Sequence, residues 1–243
     1  MGVYRITGWG QPVGMGATGA IFAQVSAICK KNGAQNPYYV ANELVAAELG
    51  RILRLPVPPG FIVLDANQVA HYASLDFNLT GVSLPPIIPG NFTTTFLSEL
   101  GAIIVFDIFI ANTDRHPGNL SAEYGQSPKF TLFDHSHSLL GAGTTGTGLA
   151  SLQAAANSIV IGPTHAVISG VNDEALFLPA LERVESIPNY FIASVVEEAA
   201  NYGLSALERD GLRAFLTDRK ANVRNLISSN KQLFPGITHW SVL

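Results

Sequence analysis

The spacing of apolar positions changes several times along the 243 residues, and each change marks an element. Glycines crowd the stretch from Gly8 to Gly19. Ala20 to Ile28 is then apolar and strand-like, so the two together predict a glycine-tipped β-hairpin. From Pro37 to Leu55 the period lengthens: Val40, Leu44, Ala47 and Ile52 recur at helical spacing until Pro56 and the Pro58-Pro59 pair stop the run. Two short strands follow, Gly60 to Leu64 and Val69 to Leu75, joined at Asp65-Ala66-Asn67 as a hairpin of a small antiparallel sheet. Asp76 to Thr95, built around Pro-Pro-Ile-Ile-Pro-Gly, has the breaker content of a linker.

Beyond it, Ser98 to Asn112 predicts a buried helix, and Phe130 to Phe133 a short strand that ends on Asp134. The run Gly141 to Gly148 alternates glycine and threonine and suits neither a helix nor a strand interior. Asn172 to Ser229 reads as mainly helical, with one apolar face from Ile187, Phe191, Val195 and Val196 and further contacts from Leu207, Leu212, Phe215, Leu216, Val223 and Ile227. Trp240 is read as a packing anchor. The expected class is α+β. Residues 1–75 form a small antiparallel-sheet unit with one helix, 76–95 a linker, and 96–243 a larger, mainly helical unit.

Composition narrows the function. Hydrophobic residues make up 47% of the chain, enough for a substantial core. Charged residues are only 13% and the formal net charge is -4, which argues against nucleic-acid binding through a broad basic surface. Cys29 has no second cysteine to pair with, and the amino terminus lacks the basic-then-apolar pattern of a secretory signal, so a reducing cytoplasm is the expected location. Ala102 to Ala111 and Phe61 to Leu64 are too short, or too close to carboxylates such as Asp107 and Asp65, to span a bilayer.

The scarce ionisable groups concentrate between Phe106 and Leu140. Asp114 precedes Asn119 in Asn-Thr-Asp-Arg-His-Pro-Gly-Asn, and Asp134 closes its strand in Leu-Phe-Asp-His-Ser-His. Phosphoryl transfer needs such parts: a carboxylate beside the attacking hydroxyl, and a second carboxylate with an amide oxygen to hold magnesium, an ion that prefers hard oxygen ligands. A plain surface turn would use the same letters, with Asn119 closing it. The apolar runs leading into the loop and into Asp134 favour the chemical reading. Upstream, Gly14, Gly16 and Gly19 form a Gly-x-Gly-x-x-Gly pattern. The strand-like residues after it suit a phosphate-covering hairpin better than a dinucleotide fold, whose fingerprint opens a helix.

The interval from Asp114 to Asn119 matches a protein-kinase catalytic loop, and Asp134 falls where the metal-binding aspartate follows it. The surrounding letters resemble the HipA-like kinases and are similar to the corresponding segments of phosphatidylinositol 3- and 4-kinases. The Glu43 helix with its Leu-Pro-Val-Pro turn and the closing helices extend the resemblance over most of the chain. It implies a reduced two-lobed kinase-like fold that uses ATP and magnesium to phosphorylate a protein Ser or Thr hydroxyl. Asp114 would act on the acceptor, Asn119 and Asp134 would hold the metal, and His116 would brace the loop. Glu43 would pair with the phosphate-contacting lysine, with Glu48 in reserve. Lys30, Lys31 or Gln24 occupies that lysine's position, Lys30 being preferred. Where the family's toxin role applies, a neutralising protein partner is implied.

Two other functions stay open from the residues alone. If Gln24 replaces the lysine, the chain is a nucleotide-binding pseudokinase that regulates a partner. Asp114, His116, Asp134, His135 and His137 also form the letters of a metal-dependent hydrolase. Arg115 steadies phosphate or stays in solvent, and His71 and His165 are structural.

Overall fold

The computed structural model describes residues 4–14, 19–78, 87, 96–123, 129–161 and 164–243. Gly16 of the glycine pattern and nearly all of the expected linker lie outside them. Strands β1 (Ile6–Pro12) and β2 (Ile21–Val25) form an antiparallel two-stranded sheet, as the hairpin expectation required. Gly14 and Gly19 flank its tip at φ 75° and 63°, where a side chain would strain the backbone. After Ser26 the chain enters β3 (Ala27–Lys31), which pairs with β5 (Ala70–Leu75), itself paired with β4 (Gly60–Leu64).

Helix α1 (Tyr39–Ile52) packs against both this sheet and α5 (Asn189–Ala200). It is apolar on nearly every side, which is the pattern of a buried helix rather than a surface one. Its first turn is capped from a distance: the Asn32 side chain accepts from the Val40 N–H at 3.0 Å and donates to the Tyr202 carbonyl at 2.8 Å. The Asn32-Gly33 turn thus also ties the helix start to the end of α5.

Helix α2 (Leu97–Phe109) is the centre of the second half, with every residue from Leu100 to Phe109 buried. Gly101 lets it lie directly against the Leu176 carbonyl, where any β-carbon would collide. Each core residue such as Ile103 or Phe106 contributes roughly 1.5–3 kcal/mol by leaving water. Helices α4 (Leu178–Glu185) and α6 (Ala206–Ser229) pack on α2, and α3 (Gly148–Ala155) packs on α6. A small hairpin, β6 (Leu120–Glu123) with β7 (Lys129–Leu132), follows the loop after α2. Trp240 stacks near Phe177 and Phe234, as a packing anchor should. Leu207 departs from its expected role. It is 73% exposed because it sits in the first turn of α6 on the outward side, whereas Leu212, Phe215 and Leu216 face the core.

The glycine-threonine run, read from its letters as neither a helix nor a strand interior, forms turns tied to one buried hydroxyl. Tyr38 Oη accepts from the N–H groups of Gly146 at 2.7 Å and Gly148 at 3.1 Å, and donates to Glu208. Glu208 in turn closes a capping box with Ser205 at the start of α6. Tyr38→Phe is expected to leave a buried carboxylate oxygen and two N–H groups short of partners. The loss of stability should be about 1–3 kcal/mol by urea denaturation with an unchanged slope. A change below about 0.5 kcal/mol would show that the hydroxyl does not hold this junction.

Candidate active site

A cleft of about 460 Å³ opens beside β3 and β5, within the range of small-molecule sites. Ile28, Val57, Tyr72 and Phe133 supply apolar walls, and Lys30, Glu43 and Asp134 bring charge into the same space. The two-residue period of β3 explains why Lys30 is there: it shares a strand face with Ile28, whereas Cys29 and Lys31 lie on the opposite, exposed face. Gln24 belongs to the separate β1–β2 sheet. No described residue of that hairpin, Gly14 and Gly19 included, lines the cleft.

Lys30 Nζ lies 2.5 Å from both Glu43 Oε1 and Asp134 Oδ1. Glu43 is buried in α1 and also accepts from the His135 N–H at 3.1 Å, with His135 Nδ1 3.6 Å from its other oxygen. Glu48, the reserve partner, instead pairs with Arg51 on the helix surface. Asp134 adopts φ 58°, a left-handed conformation that aspartate tolerates better than most residues. Its Oδ1 also accepts from Ser136 Oγ at 2.6 Å. Burial pushes the Asp134 carboxyl up, but the Lys30 charge and the hydrogen bonds from Lys30 and Ser136 outweigh it and hold the group down at about 2. Burial likewise opposes ionisation of Glu43, and His135 and Lys30 reverse it, so its carboxyl is lowered. For Lys30, burial favours the neutral form, while Glu43 and Asp134 overcome it and raise the ammonium.

The loop after α2 carries Asp114, His116 and Asn119, and contributes Gly118 to the cleft. Asn119 is buried, and its Nδ2 donates to the Asp114 carbonyl at 2.7 Å. The Asp114 side chain is 42% exposed, 3.6 Å from His137 Nδ1. His116 Nδ1 accepts from the Gly118 N–H at 3.0 Å, capping the 3-10 turn Pro117–Asn119, while the ring itself is exposed.

Arg115 corrects the sequence reading, which sent it to phosphate or solvent. Its side chain is fully buried, bidentate to Asp107 at 2.9 and 3.0 Å, and donates to the Asn119 and Phe133 carbonyls at 2.8 and 2.9 Å. Burial raises the Asp107 carboxyl, yet Arg115 and His165 more than offset that and keep it ionised far below the ordinary range. His165, 3.1 Å from Asp107, is structural as expected, and so is His71, 3.4 Å from Asp65.

Sequence reasoning also missed Asn42. Fully buried in α1 beside Glu43, it donates to the Ser136 carbonyl at 2.8 Å and accepts from the Leu140 N–H at 3.2 Å. Its signal was available: an amide inside an all-round apolar helix needs partners.

The donor atoms suit magnesium. Among the described residues, Asp134 Oδ2 and the Asn119 amide oxygen take no hydrogen bond, and both are hard oxygen donors. A transition-metal cluster is a different matter. No group of three or more His, Cys, Asp or Glu side chains converges among the described residues, and His135 is turned into the core against Phe106. The hydrolase set proposed from the letters does not assemble. No described helix is long and apolar enough to cross a membrane.

No protein-family model matches the chain, and no curated protein matches it. Among solved structures it is similar to the Helicobacter pylori proinflammatory kinase CtkA. The TM-score is 0.63 at 15% identity, over 91% of this chain and 95% of that one. HipA of Shewanella oneidensis MR-1, solved with HipB and operator DNA, aligns at 14% identity with a TM-score of 0.36, over 93% of this chain and 57% of that one. The CtkA likeness shows the fold: this is a kinase-like domain.

Because Asp134 is depressed, its contribution to stability is present above the ordinary aspartate range and is lost as pH falls toward about 2. In Lys30→Met the Asp134 carboxyl should titrate upward in carbon-detected NMR, and the acid limb of stability below about pH 4 should flatten. An unmoved Asp134 titration would show that Lys30 is not its electrostatic partner.

Proposed function

We propose that this kinase-folded chain transfers the γ-phosphate of ATP, with magnesium, to a Ser or Thr hydroxyl of another protein. The observation that carries the proposal is Lys30, held between Glu43 and Asp134 inside the cleft. A lysine held in this way is a fixed point charge for phosphate oxygens, and its ordering by Glu43 lowers the entropy of that contact. The apolar walls from Ile28, Val57 and Phe133 suit a planar base.

Asp134 and Asn119 would hold magnesium, which when bound neutralises charge on the phosphates. Lys30 does the same from the sheet side. Asp114, partly exposed in the same loop that brings Gly118 to the cleft, accepts the proton of the acceptor hydroxyl as the new oxygen–phosphorus bond forms. His116 and the buried Asp107–Arg115 pair keep that loop in place. The acceptor class rests on the resemblance of the catalytic-loop letters to HipA-like kinases, as does a neutralising or regulatory protein partner. CtkA, whose fold this chain shares, is itself described as a kinase. The exposed, unpaired Cys29 is consistent with a reducing, cytoplasmic setting.

The test is a thermal shift with ATP, with and without magnesium, on the unmodified chain and on Asp134→Asn. A ligand that binds only the folded form raises stability by about 2.7 kcal/mol at a hundred times its dissociation constant. The shift should require magnesium and shrink in the variant. With radiolabelled ATP and casein as a generic acceptor, Asp114→Asn should keep the shift but lose transfer by roughly 100-fold or more. No shift at any ATP concentration, with the chain folded, rejects the nucleotide site. A shift without phosphate transfer turns the reading to a regulatory pseudokinase.

A further inference from the structure

The His-Ser-His sequence after Asp134 is only half used by the site described so far. His135 is committed to the core, whereas His137 faces outward and stands between two polar side chains. Its Nε2 is 3.3 Å from the Tyr39 hydroxyl, at the start of α1, and its Nδ1 is 3.6 Å from Asp114 Oδ2. The two rings lie 5.9 Å apart at 30°, so Tyr39 also flanks the imidazole. The backbone beneath is fastened as well: Thr113 Oγ1 donates to the His137 carbonyl at 3.2 Å. The residue preceding Asp114 is therefore tied to the residue that faces its carboxylate.

We propose that Tyr39 and His137 form a positioning pair for Asp114: the Tyr39 hydroxyl donates to His137 Nε2, which leaves the proton on Nδ1, aimed at Asp114 Oδ2. The proposal rests on the reading of Asp114 as the proton acceptor. A neutral imidazole has one donor and one acceptor nitrogen, so a partner on one fixes the role of the other. A carboxylate otherwise free to rotate would have one oxygen engaged and the other, Oδ1, presented to the acceptor hydroxyl. The separation of 3.6 Å exceeds a direct hydrogen bond, and such contacts in ligand-free sites shorten when the reactants are bound.

The step balances without another reagent. The acceptor oxygen gives its proton to Asp114 Oδ1 and bonds to the γ-phosphorus. The bond from that phosphorus to the bridging oxygen breaks, and ADP leaves with the electron pair. Asp114 then releases its proton to solvent, to which it is open. His137 neither gains nor loses a proton. It is a positioning residue, and its removal disorders the base without removing it.

Two readouts test this. Two-bond proton–nitrogen spectra, recorded at a pH where the imidazole signals no longer change, should show His137 protonated on Nδ1. In Tyr39→Phe that resonance should move to the Nε2-protonated form. An Nε2-protonated His137 in the unmodified chain overturns the proposal, whatever the activity. The second readout is phosphate released from magnesium-ATP to water or to casein. His137→Phe, which keeps a ring beside Tyr39, should lower kcat about tenfold with the KM for ATP unchanged, and His137→Asn, whose amide can replace the Nδ1–H, should recover most of it. Tyr39→Phe added to His137→Phe should cost nothing further, since the two act through one contact. Loss of turnover in Asp114→Asn with full turnover in His137→Phe rejects this pair alone. Full turnover in Asp114→Asn, or none in the unmodified chain, rejects the functional reading and the pair with it.

Discussion

The second half of the molecule is assembled on one buried ion pair. Asp107 projects from the last turn of the most apolar helix, where an unpaired carboxylate would be untenable, and Arg115 reaches back from the loop to meet it with both arms of its guanidinium. Pairs of this kind gain little net stability against an apolar replacement, yet breaking one by removing a single partner costs about 3–5 kcal/mol. The value of this one is geometric. The spare Arg115 donors hold the carbonyls of Asn119, the last residue of the loop before β6, and of Phe133, the residue before Asp134. His165 and Asn112 complete the carboxylate, and the Ala166 N–H donates to the Arg115 carbonyl. One charge inside α2 thus helps set the backbone positions of Asn119 and Asp134.

Around the cleft the electrostatics follow a different rule. Glu43 is buried and Asp134 partly exposed, and Lys30 sits between them with more negative charge than it can neutralise. The His135 N–H and Ser136 hydroxyl supply the remaining compensation with dipoles rather than with a second cation. Such a cluster is ordered in the protein itself, with the Lys30 rotamer already chosen by its two carboxylate partners.

Much of this was legible in the letters, and the parts that were not share a cause. The order of strands, the buried helix and the loop letters could be read locally, because periodicity and turn chemistry are local. Lys30 could be singled out from Lys31 only through strand register: Lys30 pairs with Tyr72 and shares the cleft face with Ile28, and register depends on a partner forty residues away. Arg115 looked like a surface or phosphate residue because it is charged and lies in a turn, and its true partner, Asp107, had been read only as an interruption of an apolar run. Asn42 and Tyr38 make their bonds to residues about a hundred positions on, which no window along the chain contains. The glycine-threonine run could be read only as irregular, because the hydroxyl that fixes its turns comes from Tyr38, far along the chain.

Helix α1 has one further property. Asn32 joins its start to the end of α5, Asn42 sews its first turn to the loop after Asp134, and Glu43 closes on Lys30 from the next position. In a machine whose parts must come together before each stroke, the moving part is also the brake. This helix is bolted to the chassis, and so the assembly of the Lys30–Glu43 pair is settled once, when the chain folds. A regulator that works by swinging this helix would first have to break the bonds that Asn32 and Asn42 make.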